Sequence, residues 1–282
     1  MKALPFKIPK PLNQALIYEE HHVNLFYDRL HQHEEIQLSL IVGGEGSLIV
    51  GDKINHYEVG DILVIGSNLP HVFKSEVHGS EKSHMLSLFF KKTSFGEDFF
   101  ELMEFQELSL FFKHATHGFK ITSSKNKISS LFLQFNRSSN FKRFILFLEI
   151  LKRASSSSYK SLSSFVHEKK YNDLEGKRMH AVFEYTMSNF EKNISLKIIA
   201  GVANMTKSAF CKYFKTRTNK TYFNFLNELR TEHACKLILA DNDLSIAEVA
   251  ILSGFRNMSN FNRRFKSLKK TSPLQYKLSH SI

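Results

Sequence analysis

The feature that most constrains this chain is a supersecondary unit that occurs twice. "SLKIIAGVANMTKSAFCKYFK", from Ser195, aligns with "SIAEVAILSGFRNMSNFNRRFK", from Ser245. Leu196 matches Ile246, Ile199 matches Val249, Ala200 matches Ala250 and Val202 matches Leu252. With one extra residue in the second copy, Phe210 matches Phe261 and Phe214 matches Phe265. The apolar residues recur at helical spacing on both sides of a break, so each copy reads as helix, tight turn, helix. The two alanines are small where helices must cross closely. Gly254 permits the positive φ of a sharp turn, and Asn204, in the same place of the first copy, is among the best-tolerated alternatives. The long segment between the copies, "TYFNFLNELRTEHACKLILA", reads as one helix burying Phe225, Leu229, Ala234 and Leu237.

If the phenylalanines face inward, the second helix of each unit turns polar residues outward. These are Lys207, Ser208, Cys211 and Lys212 in the first, and Ser259, Asn260, Asn262 and Arg263 in the second. Arg and Asn pair bidentately with guanine and adenine edges in the major groove, and a surface that reads base edges needs such side chains. The charge agrees. Residues 178–282 hold 17 Lys and Arg against 7 Asp and Glu, while residues 1–177 hold 22 against 20. A strongly basic module beside a nearly neutral one is the electrostatic footprint of nucleic-acid binding.

The stretch "LSIAEVAILSGFRNMSNFNRRFKSLKKTSPLQY" carries a Ser-Gly-Phe turn, an aromatic-x3-Phe-Lys and a Ser-Pro-x2-Tyr ending at Ser272, Pro273 and Tyr276. In these features residues 178–276 resemble the DNA-binding domain of the AraC/XylS family of bacterial transcription regulators. The resemblance implies seven helices, with a linker helix holding two recognition helices that enter successive major-groove segments about one turn apart. Position by position, it makes Ser208, Cys211, Lys212, Ser259, Asn260, Asn262 and Arg263 the candidates for base contact. Lys207, Lys215, Arg217, Arg256, Arg264 and Lys266 become candidates for phosphate contact, which gives affinity without sequence information. Where the family usually has glycine after each recognition helix, this chain has Thr218-Asn219 and Lys269-Lys270. Asn219 accepts a left-handed backbone with little strain; Lys270 would cost about 1 kcal/mol there or adopt another turn.

Residues 20–95 read as strands. Ile36, Leu38 and Leu40 alternate with polar or small residues, and Gly51-Asp52, Gly60-Asp61 and "GGEG" (43–46) mark hairpin turns in a small antiparallel barrel or sandwich. From Phe99 to Arg153 the pattern becomes helical, and "FKRFILFLEILKRA" suits core or a dimer interface, with Lys142, Glu149 and Arg153 along one solvated stripe. The expected fold class is α+β: a cupin-like β-barrel with trailing helices over 1–153, a serine-rich connection over 154–177, and an all-α tandem helix-turn-helix domain over 178–282.

"LHQHEEIQLSLIVGGEGSLIVGDKINHYEVGDILVIGSNLPHVF" resembles the cupin-like sensor domain that precedes this DNA reader in many regulators. His31 and His33, at i and i+2, face one side of a strand, and His71 follows a later strand. Three convergent imidazoles could hold a divalent metal, as in metal-dependent cupin enzymes, but Gln37 stands where those enzymes usually have a carboxylate. The expectation is therefore an effector pocket of His31, His33, Glu35, Gln37 and His71, with no catalytic residue, no metal and no cofactor. A structural role for the histidines stands beside it.

The expected function is a sequence-specific regulator of transcription that answers to a small molecule, which the resemblance makes a sugar or a related metabolite. Its partners would be double-stranded DNA, an effector, a second copy of the chain through residues 125–153, and RNA polymerase. Competing readings are a metal-dependent cupin enzyme fused to a DNA-binding module and a non-specific architectural binder. The polar reading faces oppose the second, which would need only lysine and arginine. The chain has no run near the ~20 apolar residues of a membrane span, and its beginning lacks the apolar centre of a signal peptide, so the expected location is the cytoplasm. Cys211 and Cys235 cannot build a disulfide framework and read as buried thiols.

Overall fold

The computed structural model of the chain describes residue 8 and residues 14–76, 82–164, 173–240 and 243–280. It divides into two compact units, Met1–Lys177 and Arg178–Ile282.

The first unit is built on antiparallel strands. β1 (Ile17–Val23), β2 (Ile36–Gly43), β5 (Ile62–Ile65), β7 (Ser83–Phe90), β8 (Phe119–Ile121) and β9 (Tyr159–Ser161) form a six-stranded sheet in the order β1-β7-β2-β5-β8-β9. β3 (Gly46–Val50), β4 (Lys53–Tyr57) and β6 (His71–Ser75) form a second sheet in the order β4-β3-β6. Three α-helices are threaded between the last strands: α1 (Ser109–Ala115) precedes β8, and α2 (Lys125–Gln134) and α3 (Asn140–Ser156) lie between β8 and β9.

β2 shows why the two sheets need each other. Its first six residues are all buried, so it has no solvated face. Ile36, Leu38 and Leu40 lie with Leu86, Leu88 and Phe90 in a core shared with Phe111, Phe132, Phe147 and Ile150 of the helices. Ile41, from the alternate face, packs with Leu48, Val50, Tyr57, Phe73 and Met85, which lie mostly on the small sheet. The period of two thus feeds two different cores. On that alternate face Gln37 Nε2 donates to Ser39 Oγ (2.9 Å), which bonds Ser87 Oγ (2.7 Å), so a polar ladder runs through buried ground.

Two turn expectations need correction. Gly51-Asp52 does close a hairpin, since Val50 pairs with Lys53. Gly60-Asp61 and the "GGEG" stretch do not; each carries the chain from one sheet to the other, because β2 and β5 lie in the large sheet and β3 and β4 in the small one. Sequence punctuation marks the bend but not the pairing on either side. The buried Asp61 carboxylate pins its crossover, accepting from Lys120, from Lys125 Nζ (2.8 Å) and from Glu58 N (3.0 Å). The two sheets remain distinct among the described residues instead of closing into one barrel.

The serine-rich stretch begins as ordered structure. Ala154 and Ser155 are buried in α3, Ser155 Oγ donates to Glu107 O (2.6 Å), and β9 joins the sheet edge. Ser163 Oγ and Ser164 N both donate to Asp52 Oδ1, at 3.0 and 2.8 Å. Serine is there for its hydroxyl donors rather than for looseness. Residues 165–172 of the expected connection lie outside the described residues.

The second unit is helical: α4 (Asp173–Asn189, which starts just before the boundary), α5 (Leu196–Val202), α6 (Lys207–Thr218), α7 (Tyr222–Ala240), α8 (Ile246–Leu252), α9 (Met258–Lys269) and α10 (Pro273–His280). That gives the seven helices that the resemblance implies. Phe225, Leu229 and Ala234 of the long α7 are buried as expected, while Leu237 is only partly so. Cys235 is buried in α7, but Cys211 is exposed on α6, so the expectation of two buried thiols holds for one. No helix among the described residues is long and apolar enough to cross a membrane.

Candidate nucleic-acid interface

Each helix-turn-helix starts with a side-chain cap. Ser195 Oγ accepts from Ile198 N (3.2 Å) to begin α5. Ser245 Oγ accepts from Glu248 N (3.2 Å) to begin α8, and Glu248 accepts in return from Ser245 N (2.8 Å), which completes a capping box. The turns then repeat bond for bond. Asn204 N donates to Gly201 O and Met205 N to Ala200 O, both at 2.9 Å; Gly254 N donates to Ile251 O and Phe255 N to Ala250 O, also both at 2.9 Å. This pair of bonds closes a helix around one left-handed residue. Asn204 has φ 52° and Gly254 φ 82°, so both occupy the conformation that the sequence comparison assigns them.

The second helix of each unit follows from a new cap. Thr206 Oγ1 accepts from Ala209 N (3.3 Å) at the head of α6, and Asn257 Oδ1 from Asn260 N (3.1 Å) at the head of α9. Phe210 and Phe214 of α6, and Phe261 and Phe265 of α9, are fully buried. With those four inside, the opposite faces are open. Lys207, Ser208, Cys211, Lys212 and Lys215 are exposed on α6, as are Ser259, Asn262, Arg263 and Lys266 on α9; Asn260 is half-buried. Arg263 Nη2 donates to Asn260 Oδ1 at 3.1 Å, which joins two of the candidates for base contact.

The expected phosphate-binding residues divide. Lys207, Lys215, Arg256 and Lys266 are exposed. Arg217 instead stacks over the Tyr213 ring, 5.0 Å from its centroid. Arg264 turns toward α7, its Nη1 3.4 Å from Asn224 Oδ1 and its Nε enclosed without a partner. Lys269, one turn on, is held by both carboxylate oxygens of Glu232, at 2.8 and 2.7 Å. Thus the last turn of α9 is fastened to α7 while its first two turns face outward.

Sequence reasoning passed over Arg230. Its Nε donates to Phe190 O (2.7 Å) and its Nη2 to Lys192 O (2.8 Å), and its guanidinium lies 5.9 Å from the Phe255 ring centroid. One residue of α7 therefore touches the loop before α5 and the turn before α9. Burial lowers its pKa from the ordinary arginine value. Arg230 stands among Glu228, Thr231, Glu232 and His233 in α7, and nothing in its spacing gives the partners.

In the first unit a cavity of about 330 Å³ has Ile8, Val23, Leu25, Phe26, Tyr27, Phe73, Met85 and Phe89 along its apolar walls, and Glu19, His21, His31, His33 and Gln37 as its polar lining. Glu35 is not part of the lining; its carboxylate lies 3.7 Å from Lys91 Nζ. It lies in the bend before β2, where the alternation of a strand does not set the side-chain direction. His71 is buried beside the cavity's histidines, its ring centroid 4.2 Å from that of His31 and 5.1 Å from that of His33. Burial holds all three below the ordinary histidine pKa, His31 at about 3, so at neutral pH the cluster is uncharged.

Residues 199–279 match the model of a helix-turn-helix domain family. An uncharacterized helix-turn-helix transcriptional regulator of Bacillus subtilis, YdeC, is 23% identical over 267 residues, which cover 90% of this chain and 88% of that protein. Uncharacterized regulators of Staphylococcus aureus are 30% identical over 104 residues; the match covers 37% of this chain and 14% of their own length. Among solved structures, ToxT from Vibrio cholerae is similar over 95% of this chain and 98% of its own, at 14% identity and a TM-score of 0.37. The C-terminal domain of AraT from Geobacillus stearothermophilus covers 40% of this chain and 91% of its own, at 22% identity and 0.36.

Proposed function

We propose that the chain, a DNA-binding transcription regulator with a helix-turn-helix domain of the AraC type, reads one operator through α6 and α9 in response to a small molecule in its N-terminal unit. The observation that carries this reading is the open face of α9, where Ser259, Asn262 and Arg263 stand exposed beside Asn260 while Phe261 and Phe265 anchor the opposite side. α6 offers Ser208, Cys211 and Lys212 in the same positions. A thiol is a weak hydrogen-bonding group, so α6 contributes less base discrimination than α9. The exposed lysines and Arg256 hold the phosphates on either side.

The effector reading rests on the cavity. Apolar walls with Glu19, His21, His31, His33 and Gln37 as the polar groups suit a compact molecule that is apolar over most of its surface and carries hydrogen-bonding groups on the rest. Dimerisation belongs to the same proposal, through the face of α2 and α3 where Leu133, Phe141 and Ile145 are exposed. Action on DNA in the cytoplasm completes it.

Selection of randomised duplexes by the full-length protein, followed by sequencing, tests the reading. Two enriched blocks about one helical turn apart would support tandem major-groove reading. Retention of every sequence alike, with binding that vanishes as salt rises, would reduce the unit to a non-specific basic scaffold.

A further inference from the structure

β1 carries two adjacent carboxylates that face opposite ways. Glu19 lines the N-terminal cavity, while Glu20 stands on the other face of the strand, where it meets His84 Nε2 at 2.8 Å. The register of the sheet sets Glu19 against the rest of the polar lining. Glu19 pairs with Ser87 of β7, and Ser87 with Ser39 of β2. Gln37 lies two residues before Ser39 and so on the same side. Glu19 and Gln37 therefore share one face of the sheet two strands apart, a lateral distance of roughly 10 Å at ordinary strand spacing.

The polar groups beyond Glu19 are acceptors. Nδ1 of His31 meets Arg29 O at 2.8 Å, and Nδ1 of His33 meets Glu35 O at 2.9 Å. A carbonyl only accepts, so in both rings Nδ1 carries the hydrogen and Nε2 a lone pair. Gln37 commits its amide nitrogen to Ser39 Oγ at 2.9 Å, which leaves its Oε1 facing His33 Nε2 at 3.3 Å. Both facing atoms accept, and one N–H or O–H aimed at the pair would serve the two together.

Glu19 supplies the charge. Its Oε2 lies 3.4 Å from His21 Nε2, longer than an ordinary N–H···O bond, so the carboxylate keeps accepting capacity. Burial raises its pKa and His21 offsets part of the rise, which marks a carboxylate short of counter-charge. Among the described residues the lining holds no lysine or arginine. An anion entering there would meet a carboxylate and a row of acceptors, with no guanidinium or ammonium to offset its desolvation. A cation meets the reverse, and the rings of Phe26, Tyr27, Phe73 and Phe89 in the walls add faces that attract positive charge.

We propose that the molecule held in the cavity is a compact organic amine. Its ammonium meets Glu19, its apolar body lies among the aromatic rings, and a second N–H or O–H reaches His33 and Gln37. The cavity's volume of about 330 Å³ is at the low end of the roughly 300–1,000 Å³ of ligand sites, which suits one ring and a short chain. This inference rests on the small-molecule reading of the N-terminal unit and names its ligand class.

The test titrates matched probes into the full-length protein by calorimetry. Tyramine has one ring, an ammonium and a phenol hydroxyl. Tyrosol carries a hydroxyl in place of the ammonium, phloretic acid a carboxylate, and phenethylamine lacks the phenol hydroxyl. Tyramine should bind at least tenfold tighter than tyrosol or phloretic acid, and tighter than phenethylamine. Glu19→Gln should abolish the preference for tyramine over tyrosol. Glu20→Gln, one residue along on the opposite face, should keep it. The probe comparison on the unaltered protein decides the ligand class even where a variant folds poorly. Phloretic acid or a hexose bound as tightly as tyramine would overturn the amine, as would an ammonium preference that survives Glu19→Gln. The four probes head a panel of amines, acids, alcohols and sugars of similar size. Amines that fail where other members bind would overturn the ligand class and spare the small-molecule reading, whereas a panel in which nothing binds would overturn both.

Discussion

The carbonyl oxygen of Phe190 accepts the Arg230 Nε hydrogen bond at 2.7 Å and lies 2.7 Å from the point where a Cβ on Gly254 would stand. One peptide group thus receives the linker helix and the second turn together. Glu191 adds its own Cα and carbonyl oxygen to the same wall, 2.7 and 2.8 Å from that point. Gly254 is needed there twice, for its φ of 82° and for the backbone that faces it.

Gly254→Ala should therefore destabilise the second unit by more than the roughly 1 kcal/mol that a left-handed alanine costs, because backbone cannot swing away as a side chain can. Chemical denaturation measures it. A loss below about 0.5 kcal/mol would show that the loop at Phe190 yields, and that Arg230 does not hold it. Since the same contact spaces the two helix-turn-helix units, the variant should also lose operator affinity beyond its loss of stability.

How the sequence foretold this region, and failed elsewhere, has a physical basis. The repeat, the buried phenylalanines and the left-handed positions were legible because they are local: a helix period and a required φ are written in neighbouring residues. Arg230 and Phe190 are forty positions apart, and periodicity carries no information about such a pair. In the first unit the strands were legible and their partners were not, so the bends at Gly60 and Gly44 passed for hairpins. Glu35 shows the remaining limit: it lies in the bend just before β2, where strand phase does not hold, and Lys91, 3.7 Å from its carboxylate, is 56 residues away.

Lys270 offers a stabilising change. It ends α9 with φ 63°, the position where glycine is usual, and donates its N–H to Lys266 O at 3.0 Å. Lys270→Gly relieves about 1–2 kcal/mol of left-handed strain and loses part of that to the greater freedom of glycine in the unfolded chain. A net gain of about 0.5–1 kcal/mol in denaturation is expected. Asn219→Gly, at φ 54°, should gain less, because asparagine is already suited to the conformation. Equal gains at the two sites would contradict the strain account.

On DNA, Arg263 and Lys266 should separate. Arg263→Ala removes a bidentate donor that Asn260 orients, and should cost about 1–3 kcal/mol on the selected operator while relaxing preference at one base position. Lys266→Ala should weaken all duplexes alike and lower the slope of log affinity against log salt by about 1. Competition binding at several salt concentrations distinguishes them. Sequence preference retained by Arg263→Ala would remove this face of α9 from base reading.

The histidine cluster makes stability depend on pH. His33 and His71 are held below their ordinary pKa chiefly by burial, and His31 is lowered to about 3 by burial and by its neighbour His33. In the unfolded chain all three titrate near pH 6.5. Above that value neither state binds the protons and the cluster contributes its full stability; below it the unfolded state binds protons that the native state refuses. Stability must then fall as pH drops from about 6.5, and for His31 continue to fall toward about 3. Each fully excluded proton contributes up to about 1.4 kcal/mol per pH unit, so the slope between pH 6 and 5 should exceed that of a single buried histidine. His71→Asn should flatten the dependence even if it lowers stability at pH 7.5. Denaturation curves of both proteins at pH 7.5, 6.0 and 5.0 decide the matter: parallel curves would mean that the buried imidazoles accept protons in the native state.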